Sequence, residues 1–125
     1  MIVLENAFDE TPAMMQRLVK EVASPFFQCS LDIGRSDSFG TMPVSRWIAS
    51  LGQDLAHIHV HDNNKIYDEH RGLGSGSIPI TSFLRALMRC RVSPTVTIEV
   101  RTLCAVRQTL ALLKRYRVIT EDVCS

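Results

Sequence analysis

The sequence predicts an α/β fold built from four βα units with parallel strands, and three observations predict it. Four short β-type runs, Ile2–Glu5, Phe27–Asp32, Ala56–His59 and Thr95–Glu99, are each followed by a helical pattern. Alternation of that kind builds a parallel sheet. Each run also ends on an acidic or imidazole residue (Glu5, Asp32, His59, Glu99), at intervals of 27, 27 and 40 residues. Side chains at the carboxyl ends of successive parallel strands converge on one site. Finally, the runs alternate: Ile2, Leu4, Cys29, Leu31, Ile58, Val60, Val96 and Ile98 share one parity. Gln28, Ser30, Asp32, His57, His59, His61, Thr95, Thr97 and Glu99 share the other. A doubly wound sheet is apolar on both faces; one polar face instead suits a barrel lumen. Four units of about 31 residues match half of a (β/α)₈ barrel.

The elements follow in order. The first strand leads to a helix opened by Thr11-Pro12, an N-cap residue and a residue suited to the first helical position. Met15, Leu18, Val19 and Val22 form its apolar stripe, and Ser24-Pro25 stops it. The second strand spans about residues 26–33. A polar loop, Gly34 to Met42, then reaches a short helix, Pro43 to about Leu51, with Trp47, Ile48 and Leu51 inward. The third strand covers about Leu55 to His61. A long loop, Asp62 to Ser77, carries Gly72, Gly74 and Gly76 before Thr81 caps a helix with Phe83, Leu84, Leu87 and Met88 inward. The fourth strand, Thr95 to Val100, is followed by a helix from about Thr102 to Tyr116 that buries Leu103, Val106, Leu110 and Leu113. No linker interrupts the pattern, so residues 1–125 are expected to form one half-barrel domain.

Composition narrows the function classes. At 125 residues and 46% hydrophobic, the chain can bury a core without a covalent staple. A net charge of +1 with no basic run gives no reason to expect nucleic acid as a partner. No apolar stretch reaches the roughly 18–20 residues of a membrane span, and no signal-type segment opens the chain. Cys29, Cys90, Cys104 and Cys124 show no C-x-x-C spacing. Reduced, mostly packed thiols in a cytoplasmic protein are the expectation. Three carboxylates and an imidazole at the strand ends point to a divalent-metal site. Hard carboxylates with one imidazole suit Mn²⁺, Mg²⁺, Co²⁺ or Zn²⁺.

Five motifs in order, Leu4-Glu5-Asn6, Leu31-Asp32-Ile33-Gly34, His59-Val60-His61-Asp62-Asn63, Asp68-Glu69-His70 with Leu73-Gly74-Ser75-Gly76, and Ile98-Glu99-Val100, cover nearly the whole chain. Together they resemble the xylose isomerase-like barrel superfamily, which includes sugar isomerases and epimerases and phosphodiester hydrolases of the endonuclease IV type. The motifs correspond to its strands five to eight. The resemblance implies that Glu5, Asp32, His59 and Glu99 ligate one divalent metal ion, and that Glu5 and Glu99 act as a catalytic proton-transfer pair. It also implies a small-molecule sugar or phosphate-containing substrate. In the endonuclease branch the D-x-H pair, here Asp68 and His70, binds a further zinc together with a histidine three residues after the equivalent of Asp32. That position is Arg35, and a guanidinium cannot ligate a metal. Asp68 and His70 are therefore either a second metal site or a loop clasp. Arg35 either pairs with Asp68 or grips a substrate phosphate or carboxylate.

Gly74 and Gly76 are candidate phosphate-binding loop residues, or a plain turn. His61, at the strand mouth, stands behind the metal ligands or faces substrate, whereas His57 lies a layer deeper as a hydrogen-bonded core histidine. Asp62 and Asn63 shape the turn. Strands one to four of such a barrel have no counterpart here. Either two copies pair into a homodimer that closes the barrel, a separate chain supplies the N-terminal half, or the chain is an inactive remnant. Three functions follow: a metal-dependent sugar or sugar-phosphate isomerase or epimerase, a metal-dependent phosphodiester hydrolase, and a non-catalytic metal-binding half-barrel.

Overall fold

A computed structural model describes residues 1–119, and Cys124 lies outside the described residues. Strands β1 (Ile2–Glu5), β2 (Phe27–Asp32), β3 (Leu55–Val60) and β4 (Thr95–Ile98) form one sheet in that order. Every neighbouring pair is parallel. The helices are α1 (Ala13–Val22), α2 (Ile33–Phe39), α3 (Val44–Leu51), α4 (Ile80–Arg89) and α5 (Leu103–Arg115). This is the architecture of half a TIM barrel.

The helices cover the face that presents Cys29, Leu31, Ile58 and Val60, all at 0% exposure. Trp47, Ile48 and Leu51 of α3 and Phe83, Leu84 and Leu87 of α4 close over it, with Met15 and Leu113 at the flanks. Each large apolar side chain so removed from water contributes roughly 1.5–3 kcal/mol. The thiol of Cys29 shares this interior, and burial, reinforced by Asp54, pushes its pKa up to about 11.

Register explains an apparent break in the strand alternation. Leu55 has the parity of His57 and His59, yet it is buried. Cys29 pairs with Leu55 and Ser30 with His57, so Ala56 is an extra residue that turns Leu55 back to the core. On the opposite face Thr95 and Thr97 are exposed and Gln28 and His57 half-buried, as a lumen side without its partner requires. His57 is hydrogen-bonded there, to Thr97 Oγ1 at 2.7 Å.

Several expectations shift. Residues 34–42 are not all loop: Asp32 accepts the Arg35 N–H and caps α2, and the Ser36 hydroxyl donates to the Ile33 carbonyl. α1 has Pro12, not Thr11, at its N-cap, and α4 has Pro79, not Thr81. Val22, Met88 and Leu103, expected inward, are exposed at 49%, 56% and 64%. Met88 falls well to one side of the stripe set by Phe83, Leu84 and Leu87 at 3.6 residues per turn. Leu103 is the first residue of α5, ahead of the part that packs on the Gly-rich loop through Gln108 and Thr109. Cys104 is exposed rather than packed.

Candidate metal centre at the strand ends

Asp32 is the last residue of β2 and pairs with His59 across the sheet; His59 pairs in turn with Thr97 of β4, and Glu99 follows two residues later, just past the end of that strand. The Glu99 N–H is held by the Val60 carbonyl at 3.1 Å. Glu5 ends β1, and Asn6 locks that end to Asp32. Its amide donates to the Asp32 carbonyl at 3.0 Å and its oxygen accepts the Asp32 N–H at 2.7 Å. Backbone pairing thus brings Glu5, Asp32 and His59 together, with Glu99 next to His59.

His59 Nδ1 lies 2.8 Å from Glu5 Oε1 and 3.1 Å from Glu99 Oε2. Ligand atoms of Glu5, Asp32 and His59 lie within 4.8 Å of one another, as do those of Asp32, His61 and Glu99. Asp32 Oδ2 is buried and accepts no hydrogen bond, and the buried Glu5 Oε1 has only the poorly aligned contact with His59 Nδ1. Buried carboxylate oxygens left without donors are costly. Here they point inward among hard donors, an arrangement that fits a divalent cation.

Asp32 and His61 form the supporting pair. Both are at 0% exposure, and His61 Nε2 lies 2.7 Å from Asp32 Oδ1. Burial opposes the Asp32 carboxylate. The His61 hydrogen bond and charge, the Arg35 amide and the Arg35 guanidinium outweigh it and hold the pKa below the usual range. Burial likewise opposes a charged His61, but Asp32 above all, with Asp68 and Glu99, raises its pKa. His61 stacks on His70 with ring centroids 4.1 Å apart. Its other side lies against Gly34, where a Cβ would fall 2.0 Å from the imidazole.

The residues expected at the substrate are engaged within the protein. His61 is sealed from solvent and bonded to Asp32. Gly74 and Gly76 both donate their N–H groups to Asp62 Oδ2 at 3.0 Å, which leaves neither free for a phosphate. Arg35 pairs with Asp68, as one alternative held, with Nε 3.4 Å from Oδ2. The same guanidinium donates to Glu5 Oε2 at 3.0 Å and lies 3.6 Å from Asp32 Oδ2. It is thus ringed by three carboxylates. Asp68 and His70 make the clasp: His70 Nε2 lies 3.2 Å from Asp68 Oδ2, and Nδ1 lies 2.9 Å from the Glu99 carbonyl oxygen. The chain adopts a left-handed φ of 53° at His70 to present both nitrogens. His61, Asp68 and His70 also have ligand atoms within 4.8 Å of one another.

The roles of Asn6 and Gly34 lay outside the sequence reading. A polar residue directly after a strand-end carboxylate was the signal for Asn6, and a glycine two residues past Asp32 was the signal for Gly34.

The family described as xylose isomerase-like TIM barrel matches residues 1–116, and the chain belongs to it. The chain is similar to the uncharacterized protein MJ1311 of Methanocaldococcus jannaschii, at 26% identity over 113 residues, covering 90% of this chain and 39% of that protein. Among solved structures it is similar to a D-tagatose 3-epimerase-like protein, with a TM-score of 0.80 and 27% identity, over 98% of this chain and 49% of the other. The TTHB071 protein of Thermus thermophilus, whose crystals were soaked with ZnCl2, shares the fold at a TM-score of 0.74 and 24% identity, over 91% and 43%. The chain spans about two fifths of the length of the curated relative and about half that of the solved structures. No helix among the described residues is long and apolar enough to cross a membrane.

Proposed function

We propose that residues 1–125 form one domain, the metal-binding half of a divalent-metal-dependent sugar or sugar-phosphate isomerase or epimerase. The observation that carries this reading is the gathering of Glu5, Asp32 and His59, with Glu99 on His59, around a buried Asp32 oxygen that accepts no hydrogen bond. The D-tagatose 3-epimerase-like neighbour supports the sugar assignment and the zinc-soaked relative the metal. Glu5, Asp32, His59 and Glu99 would hold Mn²⁺, Zn²⁺, Mg²⁺ or Co²⁺. A bound ion would supply polarisation of a substrate hydroxyl or carbonyl oxygen.

The chain's own residues supply the proton chemistry. Glu5 and Glu99 each lie within 3.1 Å of His59 Nδ1, and in this reading one carboxylate would take the proton α to a carbonyl while the other returns one to the opposite face. Asp32 is fixed by His61, Asn6 and the Arg35 amide, so it stays an ionised ligand and not a base. Metal analysis with proton exchange tests this. The purified chain should carry one divalent ion, Asp32→Asn should lose it with a binding deficit of at least about 100-fold, and active preparations should exchange a ketose α-proton into D2O. Wild-type metal stoichiometry in Asp32→Asn would refute the assignment.

Within the described residues β1 and β4 each have one neighbour, and the lumen face is uncovered. A second barrel half covers both. A second copy of the chain does so with one symmetric interface, and a separate N-terminal half is the other form. Light scattering distinguishes them: a stable monomer at micromolar concentration excludes the homodimer. The Asp68–His70 pair beside His61 favours phosphodiester hydrolysis as a second reading. The Arg35 guanidinium on Asp68 weighs against it, and cleavage of a generic phosphodiester without α-proton exchange would reverse the ranking.

A further inference from the structure

Four carboxylates, Glu5, Asp32, Asp68 and Glu99, gather at the strand ends, and Arg35 is the one guanidinium or ammonium group ion-paired with any of them among the described residues. It is placed by the site itself. Asp32 caps α2 and accepts the Arg35 N–H at 2.9 Å, and a helical side chain leans back toward its own N-terminus. The guanidinium therefore folds over the cluster, donating to Glu5 Oε2 at 3.0 Å and lying 3.4 Å and 3.6 Å from the Asp68 and Asp32 oxygens. It is one-third exposed, at 33%. It therefore has room to move.

We propose that Arg35 is the resident counter-cation of this cluster: it holds Glu5, Asp32 and Asp68 together in the metal-free chain and competes with a divalent ion for two of them. The inference rests on the metal reading above and deepens it.

The competition is visible atom by atom. Glu5 gives one oxygen to Arg35 and turns the other toward His59. Asp32 gives one to His61, while the other faces Arg35 at 3.6 Å with no hydrogen bond. Asp32 Oδ2 is therefore compensated in charge but not engaged in bonding, the state from which an ion can capture it. An ion using Glu5 and Asp32 would sit within a few ångströms of a fixed positive charge that cannot deprotonate. Repulsion at that range, even at an effective dielectric near that of a protein surface, weakens binding by at least about tenfold. Lysine would keep the charge but could not fork across three carboxylates.

The test is Mn²⁺ titration by calorimetry, with metal-free melting curves, on wild type, Arg35→Gln and Arg35→Lys. Arg35→Gln should bind Mn²⁺ at least about tenfold more tightly and yet melt several degrees lower without metal. Opposite movements of the two readouts distinguish a competing counter-ion from a merely structural arginine. Arg35→Lys should bind close to wild type. Equal or weaker Mn²⁺ binding by Arg35→Gln, or an unchanged metal-free melting point, overturns the proposal. If Arg35→Gln does not fold, the Arg35 Nε–H resonance of the wild type takes its place. That resonance should shift and lose exchange protection during Zn²⁺ titration, and an unmoved signal overturns the proposal. Failure of the metal reading looks different: wild type binds no ion and Asp32→Asn is indistinguishable from it. The Arg35 proposal survives that result if Arg35→Gln binds Mn²⁺ and falls with it if Arg35→Gln does not.

Discussion

Two aspartates in this chain are equally buried, and they are opposites. Asp32 and Asp62 are both at 0% exposure, one ending β2 and the other following β3. Asp62 is saturated. Its Oδ1 accepts the N–H groups of Asn63 and Ile78 at 2.9 and 3.2 Å, and its Oδ2 those of Gly74 and Gly76 at 3.0 Å each. Asp32 is half satisfied: Oδ1 is held by His61 and the Arg35 amide, and Oδ2 accepts nothing. Burial of a charge does not mark a functional site. An unfilled lone pair turned toward other hard donors does, because folding alone gives no reason to leave it unpaired.

The sharpest way to break the contrast is Asp62→Asn. Asparagine offers one acceptor oxygen, and its amide nitrogen would face backbone donors. The Gly-rich loop then loses the anion that organises it, and each lost hydrogen bond to a charged group costs about 1.5–3 kcal/mol. Urea unfolding should show the loss as a lower midpoint. Metal-free Asp32→Asn should be hurt far less, since its neighbours already leave one oxygen unbonded. Equal losses in the two variants would erase the distinction.

A smaller effect sharpens it from the other side. Gly34 has no room for a side chain, because a Cβ would lie 2.0–2.8 Å from the His61 ring atoms. Gly34→Ala should force His61 off Asp32 at a cost of about 1–3 kcal/mol. It should also weaken metal binding, though the substituted atom touches none of Glu5, Asp32, His59 and Glu99. Gly52→Ala is the control: its Cβ would meet nothing within 4 Å, although its φ of 50° carries some strain. It should leave metal binding at the wild-type value.

The strands, their order of convergence and the polar lumen face were legible because each depends on alternation and on what ends a run. The four strand-end residues were legible for the same reason. Residues 33–39 were not, since Gly34, Ser36, Asp37 and Ser38 are poor helix formers. The cap that starts α2 is also the carboxylate assigned to the metal, and one letter cannot announce two roles. Arg35 was narrowed to pairing or anion binding, but its three partners come from three separate strands or loops. Gly74 and Gly76 looked free to bind phosphate because nothing in sequence shows that Asp62 reaches back across 12 and 14 residues to occupy their amides.

The gentlest probe of the contrast is pH, applied to metal-free protein. The Asp32 pKa is lowered on folding, so the stability it contributes is present above its ordinary value of 3.8 and is lost as pH falls through the folded value. The His61 pKa is raised, so its contribution is complete below the ordinary value of 6.5 and is lost as pH rises through the folded value. The pair is therefore strongest in the interval between, with an alkaline decline that begins only above about pH 6.5. The groups facing His61 that set this behaviour are Asp32, Asp68, Glu99 and the stacked His70. His61→Gln can still donate to Asp32 but cannot titrate. Its melting temperature should lose the alkaline limb and keep the acid one. A profile with the same alkaline slope in both proteins would mean that folding does not raise the His61 pKa, and that Asp32 holds its charge in the interior without that help.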